Sequence, residues 1–320
     1  MELDVVSYGR RGTGRPGQFT PEQIAQISRT IRRTPEVMVK VSGGGNTLGA
    51  VAAHFRYISR GSQLEIETDD GERLQGKDAA KEMMEDWDLD LDAIIDRRNY
   101  AERGGRAAQP KLVHNIVLSM PAGTSPERLM AASRSFAREE FAAQHRYAMA
   151  LHTDQDHPHM HLVVSAHRLD GGRLNIRKAD LRRYRELFAR QLRAQGIEAN
   201  ATPAQVRGRL SNYKRDGVYR AGLRGESHVE LQQARQKAQA VFEGRAARDT
   251  TRIFDTALAV QDDWRKTSDA LARQGMGGLA TEVDRFLQSL SAPRTRQDRA
   301  IQAVRQFQLR RDQRKQELAR

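Results

Sequence analysis

The chain lacks cysteine, and it lacks any apolar run long enough to cross a membrane. With no cysteine among its 320 residues, it has no thiolate nucleophile, no disulfide bond and no thiolate-ligated zinc. No stretch approaches the ~18 apolar residues that a membrane-spanning helix requires. The first residues, MELDVVSYGRRGTGRPG, also lack the hydrophobic centre of a signal peptide. We therefore expect a cytoplasmic protein, in a reducing compartment, without membrane insertion.

Positive charge is abundant in the chain but unevenly distributed along it. The formal net charge is +13 and the isoelectric point is about 10.3. Residues 1–100 carry a net charge of −3, residues 101–250 carry +11 and residues 251–320 carry +5. Such an excess favours a polyanionic partner, most often nucleic acid, although solvated helix faces are the alternative explanation. Because the basic excess begins near the histidine cluster described next, we favour phosphate binding.

A cluster of histidines and aspartates occupies residues 151–164, LHTDQDHPHMHLVV. Four of the nine histidines of the chain lie within ten consecutive positions there. Side chains alternate between the two faces of a strand, so His159 and His161 share one face. Met160 and Leu162 then point to the core. Surface histidines near a strand start would be the alternative, but the neutral imidazole is the commonest metal ligand in proteins, and we interpret the cluster as a metal site.

The pattern of apolar residues predicts an α+β fold, with a central, mostly antiparallel sheet, helices on one of its faces and an α-helical C-terminal extension. The chain is predicted to divide into an N-terminal arm (1–36), a domain that carries the histidines (37–200), a basic Gly- and Arg-rich linker (201–227) and a helical C-terminal region (228–320). The predicted segments of the second region include strands over 37–42, 111–120 and 173–180, an acidic helix over 69–96, a linker over 97–110 and a helix over 126–143.

The histidine cluster is predicted to lie on a β-hairpin. Residues 146–154 and 157–168 have the composition of two strands, and a tight Asp-rich turn joins them. Pairing of these strands would bring His152, near the end of the first, beside His159 and His161 at the start of the second. Three neutral imidazoles would then form an open coordination face, with positions left for substrate oxygens and water.

A tyrosine lies on the side of a predicted helix that faces away from the core. The apolar stripe of this helix is formed by Leu48, Val51, Ala52, Phe55 and Ile58. At about 100° per residue, Tyr57 points roughly 180° away from Leu48, so packing of this helix does not explain it; an amphipathic surface tyrosine is the alternative. The sequence has no HExxH motif that would activate water on zinc. With cysteine absent, serine and tyrosine are the remaining candidate nucleophiles, and we favour Tyr57.

Three blocks of the sequence, taken in order, resemble DNA relaxases of the mobilisation type. They are HFRYISRGSQLEIE, HNIVLSMPAGTS and HTDQDHPHMHLVV, and the pattern H-x-D-x-D-H-P-H-x-H in the third is the most specific. The chain resembles the P-type class of the His-hydrophobic-His (HUH) endonucleases, which includes the T-DNA border endonuclease and conjugative plasmid nickases. The resemblance covers residues 37–200 and implies a five-stranded, mostly antiparallel sheet with flanking helices. The tyrosine precedes the histidines, as in relaxases, whereas it usually follows them in rolling-circle replication initiators.

The resemblance also implies roles for individual residues, by their positions in the three blocks. Tyr57 corresponds to the nucleophile, Ser119 to a serine that positions DNA, and Asp154 to an acidic residue that orients a ligand histidine. The implied metal ligands are His152, His159 and His161. The residues expected around the site are His157, Asp156 and Ser165, the last at a position where several relatives have asparagine. The expected DNA contacts are Arg60, Arg173, Arg177 and Lys178.

The activity implied by the resemblance is strand-specific nicking of single-stranded DNA at an origin of transfer. A divalent cation, Mg²⁺ or Mn²⁺, would assist attack by the tyrosine, although Zn²⁺, Ni²⁺ or Co²⁺ would also suit imidazole ligands. The products would be a 5′-phosphotyrosine and a free 3′-OH. The implied partners are a relaxosome accessory DNA-binding protein and a type IV secretion coupling protein, in the bacterial cytoplasm or exported with the transferred strand. A rolling-circle replication initiator and a non-catalytic, metal-stabilised nucleic-acid-binding protein are the two alternatives.

Overall fold

A six-stranded sheet lies at the centre of residues 34–201, one of the two units into which this computed structural model divides the chain. The structure describes residues 18–102, 110–209 and 248–290, together with a few isolated helical positions. The strands are β1 (Met38–Gly43), β2 (Ile66–Thr68), β3 (Arg73–Leu74), β4 (Val113–Ser119), β5 (Tyr147–His152) and β6 (His159–Ser165). Their order across the sheet is β1-β4-β6-β5-β2-β3, and each neighbouring pair is antiparallel.

The described helices are α1 (Pro21–Ile31), α2 (Leu48–Ile58), α3 (Ala79–Asp86), α4 (Leu89–Glu102), α5 (Pro126–Phe141), α6 (Lys178–Ala194), α7 (Arg248–Arg273) and α8 (Gly277–Ser289). The α+β fold with an antiparallel sheet, flanking helices and C-terminal helices is therefore confirmed. The expected strand count of five was wrong, since the sheet has six. The strand β3 is only two residues long, which is too short for a periodic pattern to reveal it. In the described ranges, no helix combines the length and apolarity needed to span a bilayer.

Helices cover both faces of the sheet, and the prediction of helices on one face was wrong. On one face, Leu162 belongs to an apolar cluster with Phe136 of α5 and residues of α6. On the other face, its neighbour Val163 belongs to a second cluster with Phe55 of α2 and Met83 of α3. Because successive strand residues point to opposite faces, the central strand β6 is apolar on both sides and needs cover on both. The polar residues of this strand are His159 and His161 near its start and Ser165 at its end.

One predicted linker and one predicted strand differ from the structure for identifiable reasons. The helix α4 extends to Glu102, into the predicted linker, and Arg98 pairs with Glu102 one turn later at 2.9 Å, a spacing that supports helices. The predicted strand over 173–180 is wrong. The backbone of Arg173 forms only an isolated β-bridge with His167. The guanidinium of Arg173 donates a hydrogen bond to the carbonyl of Lys111 at 2.7 Å.

The second unit contains the described residues before 34 and after 201. Its core packs α1, α7 and α8 around Trp264, with Ile27 and Phe286 among the buried neighbours. The helix α7 ends at Arg273 and α8 begins at Gly277, so a short break separates them. The predicted linker beyond residue 209, most of 228–247 and nearly all of 291–320 lie outside the described residues.

Candidate functional site

Three buried histidines converge where β5 ends and β6 begins. The predicted hairpin is confirmed: His152 lies directly opposite His159, although six residues rather than a tight turn join the strands. The ring centroids of His152 and His161 are 4.4 Å apart, and those of the other two pairs are 5.2 and 5.1 Å apart. One nitrogen from each ring lies within 4.8 Å of the other two. This spacing suits three ligands of a single metal ion.

Backbone carbonyls fix the orientation of two of the three rings. The Nε2 atom of His152 donates to the carbonyl of Ile58 at 2.7 Å, and the Nδ1 atom of His159 donates to the carbonyl of His157 at 3.0 Å. In a neutral ring, the other nitrogen then carries the lone pair, so these bonds turn Nδ1 of His152 and Nε2 of His159 into ligand atoms. Partners of this kind hold the ring in place for a metal ion.

Burial disfavours the protonated form of His152 and His161 and leaves buried nitrogen atoms of both rings unsatisfied. Within the described part of the chain, Nδ1 of His152 and both ring nitrogens of His161 are buried without a hydrogen-bond partner. Burial lowers the pKa of His161 to about 3, and it lowers the pKa of His152 in the same direction. Buried polar atoms are rarely left unpaired. The residues present therefore fit a divalent cation, which would take up these lone pairs.

Tyr57 projects from α2 to the rim of the triad. Its ring centroid lies 5.4 Å from that of His161 and 6.2 Å from that of His152. Val51 and Phe55 of the same helix are buried in the core, whereas Tyr57 is 52% exposed, as the helical stripe predicted. The sequence could place this tyrosine outside the core but could not say what it faces. The structure brings it to the histidines.

His54 is a neighbour of the site that sequence reasoning missed. It lies one turn before Tyr57, and the two rings stack with centroids 5.9 Å apart and planes inclined by 24°. The His54 ring is also 6.2 Å from that of His161, and burial lowers the pKa of His54. The signal that could have found it is the i, i+3 spacing, which puts both side chains on one side of a helix.

Asp154 and Arg60 form an ion pair beside the site. The Asp154 carboxylate accepts a hydrogen bond from the Arg60 guanidinium at 2.6 Å, and that guanidinium lies 5.2 Å from the centre of the Tyr57 ring. Asp154 was expected to orient a ligand histidine, but the contact found for it is to this arginine. Pairing of oppositely charged groups that are 94 residues apart in sequence is a tertiary effect.

Ser119 lies on the face of the sheet that carries the histidine triad. The residues expected around the site, His157, Asp156 and Ser165, do not cluster together. Ser119 pairs with His159 in the β4–β6 register, so their side chains share a face, and its hydroxyl donates to the carbonyl of Pro158 at 3.4 Å. His157 and Asp156 are exposed in the loop between the strands, and His157 contributes its carbonyl to the site. Ser165 does not reach the triad, because it follows His161 by four residues, about 13 Å along a strand.

The four expected DNA contacts fall into three environments. Arg60 is partly buried beside Tyr57, as described above. Arg177 and Lys178 are exposed at the start of α6. Arg173 instead binds the buried carboxylate of Asp96 at 2.5 Å, so its charge is already paired within the domain.

An antiparallel sheet whose central strand presents paired histidines to a helix-borne tyrosine is the arrangement that the resemblance of the sequence motifs implied. Residues 58–197 match the family model described as "Relaxase: MobA/VirD2-like, nuclease domain". This segment, which is less than half of the chain, is therefore similar to the nuclease domain of relaxases, as the sequence motifs implied. Tyr57 immediately precedes the matched segment.

The curated relatives that match are T-DNA border endonucleases named VirD2. The protein of Rhizobium rhizogenes is 31% identical over 146 residues, which covers 42% of this chain and 32% of the relative. The protein of Agrobacterium fabrum is 31% identical over 146 residues, with 42% and 31% covered. For that of Rhizobium radiobacter the identity is 29% over 146 residues, with 42% and 33% covered. The chain spans about a third of the length of these relatives.

Proposed function

We propose that the chain is a DNA relaxase that nicks single-stranded DNA at an origin of transfer, with Tyr57 as the nucleophile. The observation that carries the proposal is the position of the Tyr57 ring, 5.4 Å from that of His161 and beside a triad with unpaired lone pairs. The family of the nuclease domain and the border-endonuclease relatives support DNA as the substrate.

The proposed step is a transesterification. The phenol oxygen of Tyr57 forms a bond to phosphorus, the bond from phosphorus to the 3′ oxygen breaks, and the phenol proton is lost while the 3′ oxygen gains one. A 5′-phosphotyrosine and a free 3′-OH result. Because the phosphotyrosine is itself a phosphodiester, little free energy is lost and the strand can be rejoined by the reverse step.

The residues around Tyr57 would make its phenol a better nucleophile. A free phenol has a pKa near ~10 and is a poor nucleophile at neutral pH. His152, His159 and His161 would hold the divalent cation, Mg²⁺ or Mn²⁺ with Zn²⁺, Ni²⁺ or Co²⁺ as alternatives, and that cation would draw charge from the non-bridging oxygens of the scissile phosphate.

Single-stranded DNA would follow the basic part of the domain. Arg177 and Lys178 are exposed where α6 begins, and we assign them to the phosphate backbone. Ser119 shares the face of His159 and would contact the strand near the nick. In the bacterial cytoplasm, a relaxosome accessory protein and a type IV coupling protein would complete the assembly, and the protein would leave the cell with the transferred strand.

The test is a denaturing gel of the protein with a panel of labelled single-stranded transfer-origin oligonucleotides. The full chain should form a covalent protein–DNA band, and Tyr57→Phe should lose it while still binding the oligonucleotide. Tyr100→Phe, on α4, is the matched control and should keep the band. Binding without any covalent band across the panel would favour the non-catalytic alternative, and a band formed by Tyr57→Phe would reject this nucleophile.

A further inference from the structure

Two residues to which the proposed chemistry gives no role contact the Tyr57 ring. The His54 ring stacks on it with planes inclined by 24°, and the Arg60 guanidinium lies 5.2 Å from its centre. Ring stacking and cation–π contacts both favour particular orientations of the aromatic ring. A tyrosine that is 52% exposed would otherwise have several staggered rotamers open to it.

The position of Arg60 is in turn held by the histidine hairpin. Arg60 follows the end of α2 with a left-handed backbone (φ +51°), as do Gly61 (+67°) and Ser62 (+77°). A left-handed backbone is uncommon for residues other than glycine and persists where the surroundings enforce it. Two contacts of Arg60 supply this enforcement: its amide donates to the carbonyl of Tyr57 at 3.2 Å, and its guanidinium donates to Asp154 at 2.6 Å.

Asp154 lies two residues after His152, so the ion pair spans from the ligand-bearing hairpin to the segment after α2. A second contact joins the same two segments: His152 donates a hydrogen bond to the carbonyl of Ile58 at 2.7 Å. Together the two contacts fix the end of α2, and with it Tyr57, relative to the triad. A carboxylate at this place would repel a DNA phosphate, so its presence beside a nicking site calls for another role.

We propose that His54, Arg60 and Asp154 are positioning residues that hold the Tyr57 ring at the edge of the histidine triad. His54 restrains the ring by stacking, Arg60 restrains it by its cation–π contact, and Asp154 acts through Arg60. This inference rests on the proposed function. Its physical basis is that a nucleophile must be held within contact distance of its target and in line with the bond that breaks, and small displacements reduce the rate strongly.

The kinetic test separates positioning from DNA binding. Asp154→Ala removes a negative charge, so oligonucleotide binding should be unchanged or tighter, whereas the cleavage rate at saturating oligonucleotide should fall about 10–100-fold. His54→Ala should lower this rate by a similar factor. The conservative variants Asp154→Glu and His54→Phe keep the carboxylate and the ring, and they should recover most of the rate. Binding is measured in the Tyr57→Phe background, where nothing is cleaved.

A matched control and a structural readout accompany the kinetics. Arg98→Ala breaks an exposed arginine–glutamate pair on α4 and should change neither rate nor binding. Site-specific 3-fluorotyrosine at position 57 reports the ring environment by ¹⁹F NMR in protein free of DNA and metal. The resonance should shift or broaden in His54→Ala and Asp154→Ala and return in the conservative variants.

The outcomes distinguish this inference from the proposed function. Rates of Asp154→Ala and His54→Ala within about twofold of the parent, or an unchanged ¹⁹F resonance, would overturn the positioning role even if Tyr57 is the nucleophile. A covalent band from Tyr57→Phe would overturn the nucleophile assignment instead, and the ¹⁹F comparison would still decide whether these residues restrain the ring.

Discussion

His152 donates a hydrogen bond from Nε2 to the carbonyl of Ile58 at 2.7 Å. This one contact has two effects. It leaves Nδ1 of His152 as the only nitrogen of a neutral ring that can bind a metal ion, and it attaches the histidine hairpin to the residue that follows Tyr57. The candidate metal centre and the candidate nucleophile are therefore joined directly, through the backbone of α2.

Removal of a triad histidine should abolish tight metal binding. His161→Ala deletes the ring whose two nitrogens are buried without a partner in the described residues. We expect Mn²⁺ affinity, measured by isothermal titration calorimetry, to fall at least ~10-fold, the scale on which even outer partners of metal ligands matter. His228→Ala, at an exposed position, is the control. Retention of parental affinity by His161→Ala would exclude the triad as the site.

Metal removal should stop cleavage reversibly. EDTA should eliminate the covalent band while leaving oligonucleotide binding in place, because the basic residues proposed to contact phosphates do not depend on the cation. Addition of Mg²⁺ or Mn²⁺ in excess of the chelator should restore the band. Undiminished cleavage after exhaustive chelation would contradict metal-assisted chemistry at the three histidines.

The folded protein should lose stability as the pH falls below about 6.5. Burial lowers the pKa of His114 and of His145 from the ordinary value of 6.5. Below that pH the unfolded chain therefore binds more protons than the folded chain. The free energy of unfolding then decreases with falling pH, by up to ~1.4 kcal/mol per pH unit for each histidine. Urea unfolding between pH 7.5 and about pH 5 measures the slope.

His145→Gln tests the contribution of one of these histidines. The Nδ1 atom of His145 donates to the carbonyls of Ser165 and His167 at 3.0 and 3.1 Å, and glutamine offers a donor without a titrating group. The variant should show a shallower pH dependence than the parent. Identical slopes for the two proteins would show that His145 titrates alike in the folded and unfolded chains.

Binding of single-stranded DNA should weaken steeply with salt. For single strands, each neutralised phosphate contributes ~0.7 to the slope of log affinity against log salt concentration. The double substitution Arg177→Ala and Lys178→Ala should therefore reduce the magnitude of the slope by about 1.4. Fluorescence anisotropy across a salt series measures it. An unaltered slope would remove these two residues from the DNA-binding surface.

Arg173 should matter for stability rather than for DNA binding. Its guanidinium pairs with the buried carboxylate of Asp96 and with the carbonyl of Lys111. Arg173→Ala leaves the carboxylate without this partner and should lower the free energy of unfolding by about 1–3 kcal/mol, while the salt slope of DNA binding stays as in the parent. A reduced slope with parental stability would restore Arg173 to the DNA contacts expected from sequence.

Local patterns in the sequence were sufficient for most elements of the fold. The helix after residue 125 begins as predicted, because Ser125 accepts from the amide of Arg128 at 3.3 Å and Pro126 follows it. The faces of the hairpin could be anticipated, because alternation of side chains that places Met160 and Leu162 in the core puts His159 and His161 on the opposite face. The strand β3 and the end of α4 were missed, since a two-residue strand carries no period and charged residues at the end of a helix resemble a linker.

By itself, the sequence determined that His159 and His161 share one face of a strand and that Tyr57 lies off the apolar stripe of its helix, because both follow from the fixed periods of strands and helices. Only the tertiary structure decided that this tyrosine faces those imidazoles, that His54 stacks on it, and that Asp154 pairs with Arg60 while Arg173 pairs with Asp96. These contacts join residues on different elements, and their partners are selected by packing and charge across the folded domain, which a local period does not encode.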